Sequence, residues 1–374
     1  MSLNTPLRIL HTESSTGWGG QEIRILSEAR GLLDRGHKVQ LICPPEAQIA
    51  AAADRLAIPC VRLPIGRKKL SALLTLRRWL ARHGQDWELI NTHSSTDSWL
   101  VALAQLSLSR RIPVVRTRHV STPIKAGALQ HWLYQHACRH VVVPGEALRQ
   151  QIHADNGVRL EHMSSVPTGI DLERFRRRRS ASAARQQLHL SDRPSLCIVA
   201  TLRDWKGHDD LLAAFAELHR ETPEWQLLIV GDGPRRQHLQ DRVQTLQLQD
   251  DVVFAGNVEA VQDWLQAADL FVLPSFGNEG VPQSIMQAMA CALPVVSTPV
   301  GAIAEVVSAE HTGLLLPARD IDALRLALRR LMDQPELRQR MGQAARLAAE
   351  QRMGLDTMLD RMQNIFSQAR REVD

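Results

Sequence analysis

The sequence predicts an α/β protein whose two parallel-sheet domains face a deep interdomain cleft. Three observations carry this. Two runs of alternating strand and helix patterns follow one another along the chain, the signature of parallel sheets. A polar, arginine-rich stretch without strand pattern separates them. The 374 residues also exceed the roughly 250–300 at which a single core stops growing.

The first run opens with the strand LRILHTES, the glycine loop STGWGG and a helix from Gln21 to Arg35. Ile23, Leu26, Leu32 and Leu33 supply its apolar residues, and Gly36 ends it at the C-terminal cap. Strands follow at KVQLIC, CVRLPI, ELINTHS, PVVRTRH, HVVVPG and MSSVP. The second run holds SLCIVAT, WQLLIVGDG, DVVFAGN, DLFVLPS, LPVVST and TGLLLPA. Between the runs, TGIDLERFRRRRSASAARQQLHLSDRPS reads as the interdomain connection. The expected division is a first domain over 1–172, a linker over 173–190 and a second domain over 191–354. A helix over 355–374 is expected to return to the first domain. Open α/β sheets bind ligands at the carboxyl ends of their strands, so residues there are the candidates for function.

The composition, 44% hydrophobic and 23% charged, is that of a soluble globular protein. The stretch MSLNTPLRIL lacks the apolar run of about 7–15 residues that a signal peptide needs. Nothing approaches the roughly 18 apolar residues of a membrane span, so a cytoplasmic protein is expected. Five cysteines without a C-x-x-C pair read as reduced, mostly buried thiols with no zinc site. Charge is uneven: the net is +12 over residues 1–179 and −7 over 180–374. A basic half faces nucleic acid, anionic lipid or a phosphorylated substrate, or is simply solvated. With one Tyr and six Phe, the chain lacks the stacking aromatics of a single-strand binder, so no nucleic-acid partner is expected.

Four places can carry chemistry. In VATLRDWKGHDDLL, Arg203 and Lys206 follow a strand and precede a helix, where two cations can clamp a diphosphate and balance a departing phosphate, or merely decorate a loop. In LIVGDGPRRQ, Gly231 and Gly233 permit a tight turn and close backbone approach to a ligand, or an ordinary strand–helix turn. In EGVPQSIMQAMACALP, Pro282 suits a first helical turn. Gln283, Ser284 and Gln287 then share one face of a helix whose other residues are apolar. Glu279, just before it, either caps the helix or accepts hydrogen bonds from sugar hydroxyls. In the first half, Gly17, Gly19 and Gly20 follow the first strand, and His93 and His119 stand at or just past strand ends. The pair Asp320-x-Asp322 resembles a metal-holding pattern, but it opens a helix and reads better as a cap.

Together these segments resemble the retaining nucleotide-sugar glycosyltransferases of family 4, which have the GT-B fold of two Rossmann-like domains. The resemblance covers nearly the whole chain: GWGGQE and ARGLLDRGHKVQLIC, VPTGIDLERF, LRDWKG, LLIVGDGP, VVFAGNV, ADLFVLPSFGNEGVPQSIMQAMACALPVVSTPVGAIAEVV and TGLLLPARD come in the family's order. It implies an N-terminal acceptor-binding domain and a C-terminal nucleotide-sugar-binding domain. Arg203 and Lys206 would hold the donor diphosphate, and Glu279 would contact the transferred sugar with the amides of Gly280 and Val281 nearby. His119 would sit near that sugar, and Gly19 and Gly20 would approach the reacting region. The family's second acid, on the nucleotide ribose, is Gln287 here; its amide still offers a donor and an acceptor. Arg203 stands closer to Lys206 than in many members, and TGID replaces a more usual Asn-Gly. The implied reaction moves a hexose-type sugar, with retention and without cofactor or obligatory metal, from a UDP-sugar or another nucleotide-diphosphate sugar. The acceptor would be a glycan or lipid-linked molecule of cell-envelope polysaccharide or lipopolysaccharide biosynthesis.

The segment IGRKKLSALLTLRRWLARHG combines Arg67, Lys68, Lys69, Arg77, Arg78 and Arg82 with Leu70, Leu73, Leu74, Leu76 and Leu80. It suits a basic amphipathic helix at the inner leaflet of the plasma membrane, or a solvated helix with its leucines in the core. Two other functions fit the same residues less well: a nucleotide-sugar epimerase on this scaffold, and a basic lipid- or nucleic-acid-binding protein.

Overall fold

The computed structural model describes residues 5–120, 124–277 and 279–371. The chain divides into two compact units, one of residues 1–169 with 355–374 and one of residues 170–354.

The first unit carries seven strands: β1 (Arg8–Thr12), β2 (Lys38–Cys43), β3 (Cys60–Arg62), β4 (Leu89–Thr92), β5 (Val114–Thr117), β6 (His140–Val143) and β7 (Met163–Ser165). They form one parallel sheet in the order β3-β2-β1-β4-β5-β6-β7. The second unit carries β8 (Ser195–Val199), β9 (Gln226–Val230), β10 (Val252–Gly256), β11 (Leu270–Leu273), β12 (Val295–Ser297) and β13 (Gly313–Leu315). They form a parallel sheet in the order β10-β9-β8-β11-β12-β13. Each strand read from the sequence is a strand. Their near-continuous apolar character fits sheets covered on both faces by helices.

In both sheets the strand order reverses beside the first strand, between β1 and β4 and between β8 and β11. The connections on either side leave to opposite faces there, which opens a crevice at the carboxyl ends. These switch points place the site residues.

The helix Leu355–Arg371 lies in the first unit, with Met358, Leu359, Met362, Ile365 and Phe366 buried in a core shared with the helix Gly20–Asp34. The two helices come close at Gly31, where a Cβ would stand 2.5 Å from the Leu359 side chain. Arg35 clamps them further through Asp356 at 2.8 Å and Asp360 at 2.7 Å.

Two segments are placed by the structure. Residues 173–190, read as a linker, are built into the second unit: Phe175 and Ala184 lie in its core, and a helix runs Ala181–Gln187. Arg177 donates to the Ala268 carbonyl at 2.6 Å, and Arg185 to the Ala267 carbonyl at 3.0 Å. The arginines thus serve carbonyls left open beyond a helix end, a long-range role that local polarity conceals. In the basic helix Leu70–His83, Leu76 and Leu80 are core residues, and only Leu70 and Leu74 are well exposed. The apolar stripe is therefore split between core and solvent.

Candidate active site

In the second unit, the loop after β8 and the loop after β11 meet at the switch point. Beyond β8 the chain makes a short 3-10 turn, Asp204–Lys206, closed by Gly207 at φ +76°. A Cβ on Gly207 would stand 2.1 Å from the Pro274 carbonyl oxygen, so only glycine lets the two loops touch. Lys206 Nζ meets Glu279 Oε1 at 2.6 Å, and Glu279 is 7% exposed. Ser275 Oγ lies 2.6 Å from the same carboxylate oxygen and 2.7 Å from the Trp205 carbonyl, and its proton can serve either. Phe276 N donates to that carbonyl at 2.8 Å. The backbone of Glu279 is fixed from β12: Ala302 N donates to its carbonyl at 3.2 Å. Gly301, at φ +61°, approaches so closely that a Cβ would lie 1.9 Å from that carbonyl.

The helix Gln283–Ala290 starts one residue later than its sequence suggests, with Pro282 as the extended N-cap. Its N-cap, Pro282, offers no capping side chain, and the Glu279 carboxylate is paired with Lys206. Ile285, Met286, Ala288 and Met289 are buried, while Gln283, Ser284 and Gln287 are half-buried along the remaining face. Gly280 is half-buried and Val281 packs into the core.

Arg203 is not part of this pair. It is exposed and stacks over the Trp205 ring, 5.2 Å from the centroid. Gly231 and Gly233 follow β9, and their missing side chains leave room for the neighbouring loop. A Cβ would lie 2.0 Å from the Ala200 oxygen at Gly231 and 2.7 Å from the Leu202 oxygen at Gly233. Leu202 N donates to the Asp232 carbonyl at 3.0 Å, so these glycines form a wall behind the Arg203–Lys206 loop. Asp320 caps the helix Ile321–Asp333 by accepting from Ala323 N at 2.8 Å.

In the first unit, the switch point holds a buried polar cluster. His11 on β1, His93 just after β4 and His119 just after β5 form a chain, with His11 Nδ1 2.8 Å from His93 Nε2 and His93 Nδ1 2.9 Å from His119 Nε2. The His11 and His93 rings are stacked, 7° from parallel. Burial lowers the His11 pKa to about 3. His93 and His119 are also held well below the usual range, by burial first and then by neighbouring positive groups including Arg24 and Arg116. All three are neutral imidazoles near pH 7.

Asp97 sits beneath them, accepting from Thr12 Oγ1 at 2.7 Å, His93 N at 2.9 Å and Ser94 N at 2.8 Å. Glu13 is pushed up to about 8 by burial and by Asp97. Arg24 is buried too, giving Nη1 to the Val166 carbonyl at 2.6 Å, and Glu28 beside it rises to about 7 through burial. Gly19 is the extended N-cap of the helix that Gly20 begins.

Ser275, Trp205 and Gly301 in one unit, and His11, Asp97 and Glu28 in the other, escaped the sequence reading. For His11 a signal existed: three strand ends, HTES, NTHSS and RTRH, turn polar together. Among the described residues, no group of three or more His, Cys, Asp or Glu could hold a metal ion.

The family model described as Glycosyltransferase Family 4 matches residues 18–174, and the one described as Glycosyl transferases group 1 matches residues 181–348. A D-inositol 3-phosphate glycosyltransferase of Kineococcus radiotolerans is 30% identical over 307 residues, covering 72% of this chain and 69% of that protein. A GDP-mannose-dependent alpha-(1-6)-phosphatidylinositol monomannoside mannosyltransferase of Mycolicibacterium smegmatis is 34% identical over 198 residues, 50% of each chain. The match therefore spans only half the length of that relative. The HepE protein of Anabaena, solved in complex with UDP, has a TM-score of 0.85 at 20% identity, covering 97% of this chain and 100% of that one. Since the two family matches run through both units in chain order and one relative matches across two thirds of its own length, this chain belongs to the family 4 glycosyltransferases and has their GT-B fold.

Proposed function

We propose that the chain transfers a hexose, with retention and without an obligatory metal, from a nucleotide-diphosphate sugar to a phosphorylated or lipid-linked acceptor of the cell envelope, such as a lipopolysaccharide core. The observation that carries this reading is the Lys206–Glu279 pair at the β8/β11 switch point. A carboxylate this buried is costly without a counter-charge, and Lys206 supplies one at 2.6 Å while Ser275 adds a hydrogen bond. When the diphosphate enters, Lys206 turns to it, with Arg203 closing from the exposed side, and Glu279 is released to accept hydrogen bonds from sugar hydroxyls. As the anomeric C–O bond to the diphosphate breaks, the acceptor hydroxyl oxygen bonds to the same carbon, its proton passes to the departing diphosphate, and the two cations balance the remaining charge. The amides of Gly280 and Val281, and Gln283, line the sugar end. Gln287 bonds the ribose, and Gly231 and Gly233 shape the phosphate wall; in the first unit, His119, Gly19 and Gly20 are the candidates for contact with a sugar.

The donor base is read as uridine, the nucleotide solved with HepE; the mannosyltransferase relative makes GDP-mannose the other candidate. A phosphorylated acceptor suits the positive first 179 residues, and the names of both relatives describe phosphate-bearing acceptors. Docking at the inner leaflet is supported by a groove of about 460 Å³ lined by Leu70, Leu73, Leu100, Leu103, Leu129 and Trp99, with Lys68 and Lys69 on its rim. Leu70 and Leu129 are 71% and 72% exposed. No helix among the described residues is long and apolar enough to cross a membrane, so the association would be peripheral.

A thermal-shift panel of UDP-, GDP- and ADP-sugars, followed by transfer assays on Lys206→Ala and Glu279→Ala, tests the site. One nucleotide sugar should raise the melting temperature. Each variant should stay folded and lose on the order of 10²–10³ in turnover. Full activity in either overturns the assignment, and epimerised donor without transfer would mark an epimerase.

A further inference from the structure

The His11–His93–His119 chain ends blind. His11 is fully buried, and its Nε2 has no hydrogen-bond partner. His119, at the other end, is partly exposed. A neutral imidazole carries one N–H, and each of the two ring-to-ring hydrogen bonds needs one proton. His93 serves both bonds with a single N–H. If that proton is on Nε2, His93 donates to His11 Nδ1, and His119 must donate from Nε2. If it is on Nδ1, His93 donates to His119 Nε2, so His119 carries its proton on Nδ1, and His11 must donate from Nδ1. No other arrangement satisfies both bonds. The three rings therefore share one tautomer, all Nε2–H or all Nδ1–H.

We propose that His11 is a positioning residue for His119: through His93 it ties the tautomer of His119 to its own and holds the ring's orientation. Its position supports this. β1 and β4 flank the switch point of the sheet, and β1 sits near the sheet's centre, paired on both sides. The His11 and His93 rings lie nearly parallel, with centroids 5.1 Å apart. His93 is held from below as well, its backbone N–H bound to Asp97. His11 and His93 are buried, the condition under which a hydrogen-bonded side chain can influence a partner's tautomer. The consequence for transfer rests on the reading that His119 meets the donor sugar: a ring locked as donor or acceptor at its free nitrogen recognises a hydroxyl in one sense only.

The test uses the full chain labelled with ¹⁵N-histidine. Long-range ¹H–¹⁵N spectra at pH 7.5 should show His11, His93 and His119 as the same single tautomer. Rings of differing tautomer, or a ring in tautomer exchange, overturn the proposal. In His11→Leu, His119 should become a tautomer mixture and kcat should fall about tenfold, with the donor KM less affected. His11→Asn, whose amide can donate or accept near the Nδ1 position, should restore the hydrogen bond to His93 and most of the rate. A His119 spectrum unchanged in folded His11→Leu overturns the coupling. If instead the spectra behave as stated while His119→Ala transfers at the full rate, the coupling stands and the donor contact of His119 fails.

Discussion

At the scale of single residues, the site contrasts a charged pair with a neutral anchor. Glu279 is buried, ionically paired and fixed through both side chain and backbone, whereas Gln287 is half-buried on the open face of its helix. In the proposed site, an amide at 287 would bond ribose hydroxyls without contributing charge as the leaving group departs. It therefore contributes alike to ground and transition states. Gln287→Ala should raise the donor KM several-fold with kcat nearly unchanged, as steady-state kinetics on the donor will read. An unchanged KM would remove Gln287 from the ribose. Ser275 shows why a site residue can be invisible in sequence: nothing in VLPSF marks a serine whose hydroxyl meets a carboxylate four residues on and a carbonyl seventy residues back.

At the scale of elements, two strand-end loops carry separate predictions. Gly301 follows β12 in a left-handed conformation against the Glu279 carbonyl. Gly301→Ala adds backbone strain and a clash, so it should cost about 1–3 kcal/mol of stability in a urea melt. It should also lower turnover, because the displaced backbone carries Glu279. The second concerns β1. The His11 pKa is depressed from 6.5 to about 3 by burial, so below pH 6.5 the unfolded chain binds a proton that the folded chain refuses. The contribution of neutral His11 is thus present above pH 6.5 and is lost as pH falls towards 3. Glu28, raised to about 7, and Glu13, raised to about 8, act oppositely, losing stability as pH rises from about 4.5. His11→Asn leaves those carboxyls in place. It should flatten the dependence of unfolding free energy on pH between about 4 and 6 by about 1.4 kcal/mol per pH unit, one proton's worth. An unaltered slope would show that His11 titrates normally.

At the scale of the whole molecule, exposed leucines among lysines predict membrane binding that salt weakens. Vesicles rich in anionic lipid should sediment the protein at low salt and release it above about 0.1 M, where the screening length falls to about 10 Å. Leu70→Asp with Leu129→Asp should abolish sedimentation and leave the donor-induced thermal shift intact; binding that survives both changes rules out this face. The strands, both parallel sheets, the Arg203–Lys206 loop and the helix after Glu279 were legible in the sequence, because period, glycine placement and capping chemistry are local. Long-range pairing was not: the arginines at 177 and 185 read as solvated linker, yet they bind carbonyls some ninety residues on. The sequence by itself determined the α/β class, the family and the strand ends where chemistry is found, since apolar periodicity and turn residues act over a few positions. Only the tertiary structure decided that Glu279 pairs with Lys206, and that three histidines at three strand ends share one hydrogen-bonded chain. Parallel strands bring together residues far apart in sequence, and burial there decides which groups must pair.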